Sequence, residues 1–315
     1  MNVYEWHRQI QKIMDSIDRC IENRDDDSLT LRSIAKGSGY SEFHMTRKFR
    51  ELTGVTLRDY LRGRRLAFAL IDVRDTEKSI LDIAVDYGFS SHEAFCRSFK
   101  ATYGIPPSTY RAKPKPVVLR TRINTFDRYY LGLGEIGMVK STEEIKVYFV
   151  TIPAHKFLHI KNYESNGYFD FWERQDKIPD ADCDTICGLL DSIKGKLDGE
   201  DGVIGKYSGQ IMAHINEGNK APEAYGVRLP ADWNGETPTQ MLMLDVPEAE
   251  YIVFEHGKFD YEQESDTVGE KLQAAIDGFV FSGTEYILDN GAGRLSYFIF
   301  DPEKYEKRIM PVKRK

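Results

Sequence analysis

Two short segments of the chain carry side chains suited to reading nucleic acid. Arg47 and Arg97 are 50 residues apart, and each guanidinium offers the parallel N–H pair that can grip O6 and N7 of a guanine. At helical spacing Phe43, Thr46, Arg47 and Arg50 share one side, and Met45, Phe49 and Leu52 make an apolar stripe on the other. Around Arg97 the same division recurs. His92, Glu93, Cys96, Arg97 and Lys100 face away from Phe95, Phe99 and Tyr103. Outward faces of arginine, lysine, histidine and short polar groups can donate to base edges and to phosphates. The same faces would also suit a solvated helical bundle, so the elements that mount them decide the reading.

Those elements are duplicated. Ile34, Ala35, Gly39, Tyr40 and Ser41 match Ile83, Ala84, Gly88, Phe89 and Ser90 at an offset of 49. Arg47, Phe49, Gly54 and Tyr60 match Arg97, Phe99, Gly104 and Tyr110 at an offset of 50, so one residue is inserted between the two sets. Ile-Ala gives each first helix a small buried side. Gly39 and Gly88 follow it where a left-handed turn is favoured. The aromatic after each glycine serves as a core plug, and Ser41 and Ser90 are expected as N-caps of the second helices. The pattern is helix, tight turn, helix, twice.

Residues 34–54 (IAKGSGYSEFHMTRKFRELTG), Tyr60–Leu66, residues 83–104 (IAVDYGFSSHEAFCRSFKATYG) and Pro107-Ser108-Thr109-Tyr110-Arg111 together resemble the DNA-binding domain of the AraC/XylS family of transcription regulators. The resemblance covers about residues 6–112. It implies seven helices, with a central one at about Thr56 to Asp72, and two recognition helices entering successive major-groove faces roughly 34 Å apart. It carries base reading to Phe43, Thr46 and Arg47 in the first unit and to His92, Glu93, Cys96 and Arg97 in the second. Ser41, Lys48, Arg50 and Lys100 are assigned to phosphates. Phe43 is expected against an apolar group such as a thymine methyl. Glu93 could accept from cytosine or stand as a solvated charge. The partner is double-stranded promoter DNA, with RNA polymerase a further expected partner.

The chain has 315 residues and a net charge of −7. Residues 1–116 hold 20 Lys+Arg against 16 Asp+Glu, leaving 23 against 34 for the rest, so a mildly basic part precedes an acidic one. Residues 5–112 read as helical throughout. Lys113-Pro114-Lys115-Pro116 cannot continue a helix and marks a boundary. The expected organisation is a DNA-binding domain over 1–112, a linker over 113–142 and a second domain over 143–315. No apolar run approaches the ~18 residues of a membrane span, and the start lacks a signal-peptide pattern. A cytoplasmic protein is expected. Four scattered cysteines argue against a disulfide framework. Cys183 and Cys187 lack a second ligand pair nearby, so no metal or cofactor is expected. Gly132 to Gly137 fits GxGxxG spacing, but no strand-turn-helix context surrounds it and nucleotide binding is not expected.

The second part reads as α+β. Val147-Tyr148-Phe149-Val150 and Tyr251-Ile252-Val253-Phe254 are strand-like runs. Ile152-Pro153-Ala154 and Phe157–Ile160 match Val246-Pro247-Glu248 and Tyr251–Phe254 at an offset of 94. Helical stretches follow at about residues 167–175 and 262–281. The fold class is therefore an all-α double helix-turn-helix domain, then an α+β domain of duplicated strand-strand-helix units with an antiparallel sheet. This order, with Tyr251–Gly257 and the closing Ile309-Met310-Pro311-Val312, resembles the GyrI-like effector-binding domains. That resemblance implies an aromatic-lined pocket for a small organic effector, often a cation on a buried carboxylate. Tyr168, Phe171, Trp172, Tyr225, Trp233 and Tyr297 are the candidate walls. Lys307 stands where such domains often carry glutamate, and Glu306 would point to the opposite face. Glu223 or Glu255 could supply the carboxylate instead. No nucleophile with a base is evident, so an enzyme is not expected. A ligand-hydrolysing enzyme and a protein-binding module are the alternatives for this domain.

Overall fold

The computed structural model describes residues 3–25, 27–38, 40–123, 125, 144–198 and 209–315. Gly39, the GxGxxG segment and most of the expected linker lie outside the described residues. Among those described, no helix is long and apolar enough to cross a membrane. Two compact units emerge, one built on residues up to 125 with Cys187–Ser192, the other on the remaining described residues.

Among the described residues up to 125 the first unit holds seven α-helices: α1 (Val3–Glu22), α2 (Leu31–Ser38), α3 (Glu42–Thr53), α4 (Leu57–Asp75), α5 (Ile80–Asp86), α6 (His92–Tyr103) and α7 (Pro107–Ala112). Ile10, Ile13, Met14, Ile17 and Ile21 put one buried stripe on α1. The middle of α4 is buried nearly all round, from Leu66 to Ile71, as suits a helix with neighbours on every side. Tyr60 from its first turns packs on Phe49 of α3, ring centres 5.4 Å apart. Between α5 and α6, Gly88 adopts φ +68°, a left-handed geometry that favours glycine, and Phe89 N–H closes back onto the Ala84 carbonyl. Phe89 then packs edge-on against Phe95.

One expectation about the boundary is corrected. The described part of the expected linker is strapped to the helices. Val117 and Leu119 are buried in the helical core. The Arg120 carbonyl accepts from Arg64, Arg122 pairs with Asp15, and Thr125 N–H donates to Gln11 at 2.9 Å. The two prolines end α7 as expected. The apolar residues beyond them still find a place on the helical core, which composition around a proline pair does not reveal.

The second unit is an antiparallel sheet with helices. Its elements are β1 (Lys146–Ile152), β2 (His155–Asn162), α8 (Tyr168–Gln175), α9 (Cys183–Ser192, of which Cys187–Ser192 is assigned to the first unit), β3 (Ile211–Ile215), β4 (Glu223–Pro230), β5 (Leu242–Val246), β6 (Ala249–His256), α10 (Tyr261–Asp277), β7 (Tyr286–Leu288), β8 (Leu295–Asp301) and β9 (Tyr305–Arg314). The strand order is β1-β6-β9-β8-β3-β4-β2-β5, with β7 beside β9. Strands β1 and β2, joined by Pro153-Ala154, do not pair with each other. Instead β1 pairs with β6 and β2 with β5 in a common register, Ile152 opposite Ala249 and His155 opposite Val246. Alternation sorts the two faces. Tyr251, Val253, Tyr297 and Ile309 pack together on one. Ile252, Phe254 and Val312 pack on the other with Val268 and Leu272 of α10. Helix α9 escapes a reading by length and pattern alone. Its signal is the spacing of Ile186, Leu189 and Leu190 after Asp182, whose carboxylate accepts from Thr185 N–H.

Candidate functional site

Helices α3 and α6 are built alike. Ser41 caps α3, accepting from His44 N–H at 3.3 Å, and Ser91 caps α6, accepting from Ala94 N–H at 3.1 Å. Each ends on a left-handed glycine, Gly54 at φ +73° and Gly104 at φ +76°. The cap of α6 is therefore Ser91, not the expected Ser90. The inserted residue falls before the cap, so from Ser41 and Ser91 onward the two helices correspond at the offset of 50. Burial then runs identically, position by position, from Ser41 to Arg50 and from Ser91 to Lys100.

The outward faces stand clear of the core. Phe43 is 77% exposed, an unusual setting for so large an apolar side chain. Arg47, Arg50, Arg97 and Lys100 are exposed, and Lys48, Thr46 and Cys96 are half-buried. A groove of about 670 Å³ beside α3 is walled by Phe43, Thr46, Arg47 and Arg50. Glu51 sits among these cations, 3.4 Å from Arg47 Nε and 2.6 Å from Lys48 Nζ. The Lys48 ammonium holds the Glu51 carboxyl below its usual range. Thr46 turns its hydroxyl back onto the Glu42 carbonyl at 2.7 Å. In α6, the Cys96 thiol lies 3.6 Å from His92 Nε2. Burial first, and the Glu93 charge second, push that thiol up, so it stays protonated. The carboxyl of Glu93 is lowered by its own backbone N–H and by the Ser91 hydroxyl. It is thus an anion at the positive end of α6. Ser41 uses its hydroxyl oxygen on His44 and retains its proton as a donor.

The residues expected at an effector pocket divide into separate places in the second unit. Tyr168, Phe171, Trp172 and Tyr225 pack ring on ring, with Trp172 and Tyr225 centred 4.8 Å apart. Glu223 lies beside them, buried, accepting from Gly167 N–H at 2.6 Å. Two polar atoms of this cluster, Trp172 Nε1 and Glu223 Oε2, are buried without a hydrogen-bond partner among the described residues. Trp233 stands elsewhere, donating to the Lys194 carbonyl. Glu255 and Tyr297 belong to a different region, the face of the sheet that carries Tyr251 and Val253.

That face opens into a cleft of about 340 Å³. Its apolar walls include Val150, Ile152, Val253, Ile299 and Ile309. Two ion pairs meet it. In one, Lys307 Nζ is 3.0 Å from Glu255 Oε2, and the Tyr148 hydroxyl donates to the same oxygen at 2.5 Å. Burial works to raise the Glu255 carboxyl, but the hydrogen bonds from Tyr148 and Lys307 outweigh it and hold it down. In the other pair, Arg228 grips both oxygens of Asp198. The Arg228 guanidinium also lies 5.1 Å above the Tyr297 ring. His155 Nε2 meets the Tyr297 hydroxyl at 2.6 Å, and its Nδ1 meets the Pro153 carbonyl at 2.8 Å. The carbonyl can only accept, so Nδ1 carries the proton and Nε2 accepts from Tyr297. The sequence did not point to Tyr148, Asp198 or Arg228. Arg228 stands between Val227 and Leu229 in a strand whose one other charged residue is Glu223 at its start, a signal that could have marked it.

Comparison with known proteins agrees with the geometry of the first unit. Residues 34–113 match the family described as a helix-turn-helix domain. The regulatory protein SoxS of Escherichia coli K12 is 42% identical over 101 residues, covering 32% of this chain and 94% of that protein. The right origin-binding protein of Escherichia coli K12 is 38% identical over 142 residues, 45% of this chain and 42% of that protein. Among solved structures, the C-terminal domain of AraT, a response regulator from Geobacillus stearothermophilus, is 25% identical, covering 33% of this chain and 84% of that one, with a TM-score of 0.30. With two capped, outward-facing helices in tandem and a relative matched along nearly its whole length, the chain belongs to the AraC/XylS family of DNA-binding transcription regulators.

Proposed function

We propose that this regulator is ligand-responsive: α3 and α6 read promoter DNA, and the second unit senses a small organic effector. The observation that carries the sensing part is the cleft of about 340 Å³, within the size range of small-molecule sites and lined in equal parts by apolar residues and by polar or charged ones. The second unit is read as a GyrI-like effector-binding domain. Its strand register supports the duplicated units that this reading expects. The 94-residue offset carries Ile152 onto Val246 and His155 onto Ala249. The ladder pairs Ile152 with Ala249 and His155 with Val246, so the repeat exchanges the two pairs as a two-fold axis requires.

In the DNA complex, Arg47 and Arg97 each take a guanine, and Phe43 makes the apolar contact its exposure allows. Arg50, Lys48 and Lys100 meet phosphates. Glu93, held at the helix end by Ser91, acts as a cap anion rather than a base reader. The unit around the cleft is read as a binding module, with its carboxylates Glu255 and Asp198 each held by a cation. Effector binding works only through different affinities for DNA-competent and DNA-incompetent states, or through contacts with RNA polymerase.

A gel-shift titration on a selected operator tests the DNA part. Arg47→Ala and Arg97→Ala should each lose about 1–3 kcal/mol of specific binding and relax preference at one position. Wild-type affinity and specificity in both variants would overturn the assignment of reading residues.

A further inference from the structure

We infer that the cleft of the second unit takes an organic anion, an acidic head group on an apolar body. The inference rests on reading that cleft as the effector site. It comes from which hydrogen-bonding capacity is spent and which is left. The two carboxylates at the cleft are occupied. Glu255 accepts at Oε2 from both Tyr148 and Lys307 and has the Lys146 ammonium 3.7 Å from Oε1, and Asp198 is gripped at both oxygens by Arg228. The cations hold capacity in reserve. Lys307 has three N–H donors, of which two are directed at Glu255 and, at 3.5 Å, the Tyr148 hydroxyl. Arg228 has five, and Asp198 takes one from each of two nitrogens. The cleft therefore presents donors to an incoming molecule.

The aromatic faces point the same way. A ligand cation would seek the face of a ring. Lys307 Nζ already lies 4.0 Å from the centre of the Tyr305 ring, and Arg228 covers Tyr297. One face of each ring is taken by the protein's own cation. Three cations, Lys146, Lys307 and Arg228, stand against two carboxylates, Glu255 and Asp198. A ligand cation would have to displace Lys307 or Arg228 from its carboxylate to find a counter-charge. An anion adds to N–H groups already in place, in a partly desolvated setting where a charge-assisted bond is strong. The apolar walls then select a hydrocarbon or aromatic body over a small inorganic ion.

A shape-matched pair of probes of opposite charge tests this on the full chain: 1-naphthaleneacetate and 1-naphthylmethylamine, with affinities measured by titration calorimetry at neutral pH. The acid should bind at least about tenfold more tightly than the amine, the worth of one charge-assisted hydrogen bond. Lys307→Gln should remove that preference, weakening the acid about tenfold while freeing Glu255 for the amine. Lys307→Met provides a second variant should the first fold poorly, with thermal unfolding reporting its integrity. If the amine binds as well as the acid, the anion inference falls while effector sensing stands. If neither probe binds at millimolar concentration, the cleft is not an effector site and both readings fall. If the acid binds equally well to the wild type and both variants, Lys307 does not select charge and the inference falls alone.

Discussion

Arg64 of α4 lies flat against Asp18 of α1, Nε to Oδ1 at 2.8 Å and Nη2 to Oδ2 at 2.9 Å, while its third nitrogen donates to the Arg120 carbonyl at 2.7 Å. The Arg64 side chain has no exposed surface. One guanidinium thus ties the first helix, the central helix and the strap that follows α7.

Removing one member of that pair leaves a buried, uncompensated charge. Asp18→Ala should lower the stability of the helical unit by about 3–5 kcal/mol, whereas an apolar replacement of both residues should cost much less. Urea unfolding monitored by helical circular dichroism measures both. A loss within experimental error for Asp18→Ala would contradict the arrangement.

Glu51 places a negative charge against Arg47 and Lys48, where a phosphate backbone would approach. Glu51→Gln should therefore raise DNA affinity about two- to fivefold, the scale of an exposed pair. The gain should shrink at high salt, where such charges are screened. Gel-shift titrations at two salt concentrations check this, and weaker binding by the variant would mean that Glu51 positions Arg47 instead of competing with DNA for it.

The helix-turn-helix pair was legible in the sequence because its signals are local. A serine cap, a left-handed glycine and an aromatic-aliphatic stripe each act within a turn or two of the chain. The one error there, Ser90 for Ser91, arose at the inserted residue, where both serines fit the pattern and only backbone geometry distinguishes them. The cleft was less legible for the opposite reason. Tyr148, Arg228 and Lys307 come from β1, β4 and β9, and strand order brings them to one face. The aromatic residues expected as walls, Tyr168, Phe171, Trp172 and Tyr225, pack ring on ring away from that cleft.

Those two serines make a direct test. Ser91→Ala removes the acceptor for Ala94 N–H and should cost about 1 kcal/mol, while Ser90→Ala should cost only a few tenths. Thermal unfolding of the two variants side by side reads the difference. The reverse order would place the inserted residue after the cap and shift the reading face of α6 by one position.

Acid should weaken the second unit through two buried imidazoles. Burial first, against a backbone hydrogen bond to Pro153, lowers the pKa of His155. Burial also lowers that of His159, against a bond to Phe157. Arg228 and Asp198 act on His155, and Lys161 and Glu217 on His159, with smaller effects. Each ring stays neutral in the folded state but takes a proton in the unfolded chain below about 6.5. The unfolded state then binds more protons, so this contribution is full above 6.5 and is lost as pH falls through the window beneath it. Denaturant midpoints of the sheet unit should drop between pH 7.5 and 5.5. The double variant His155→Gln, His159→Gln should flatten that slope, even if its absolute stability is lower. An unchanged slope in the double variant would assign the acid sensitivity to the carboxylates.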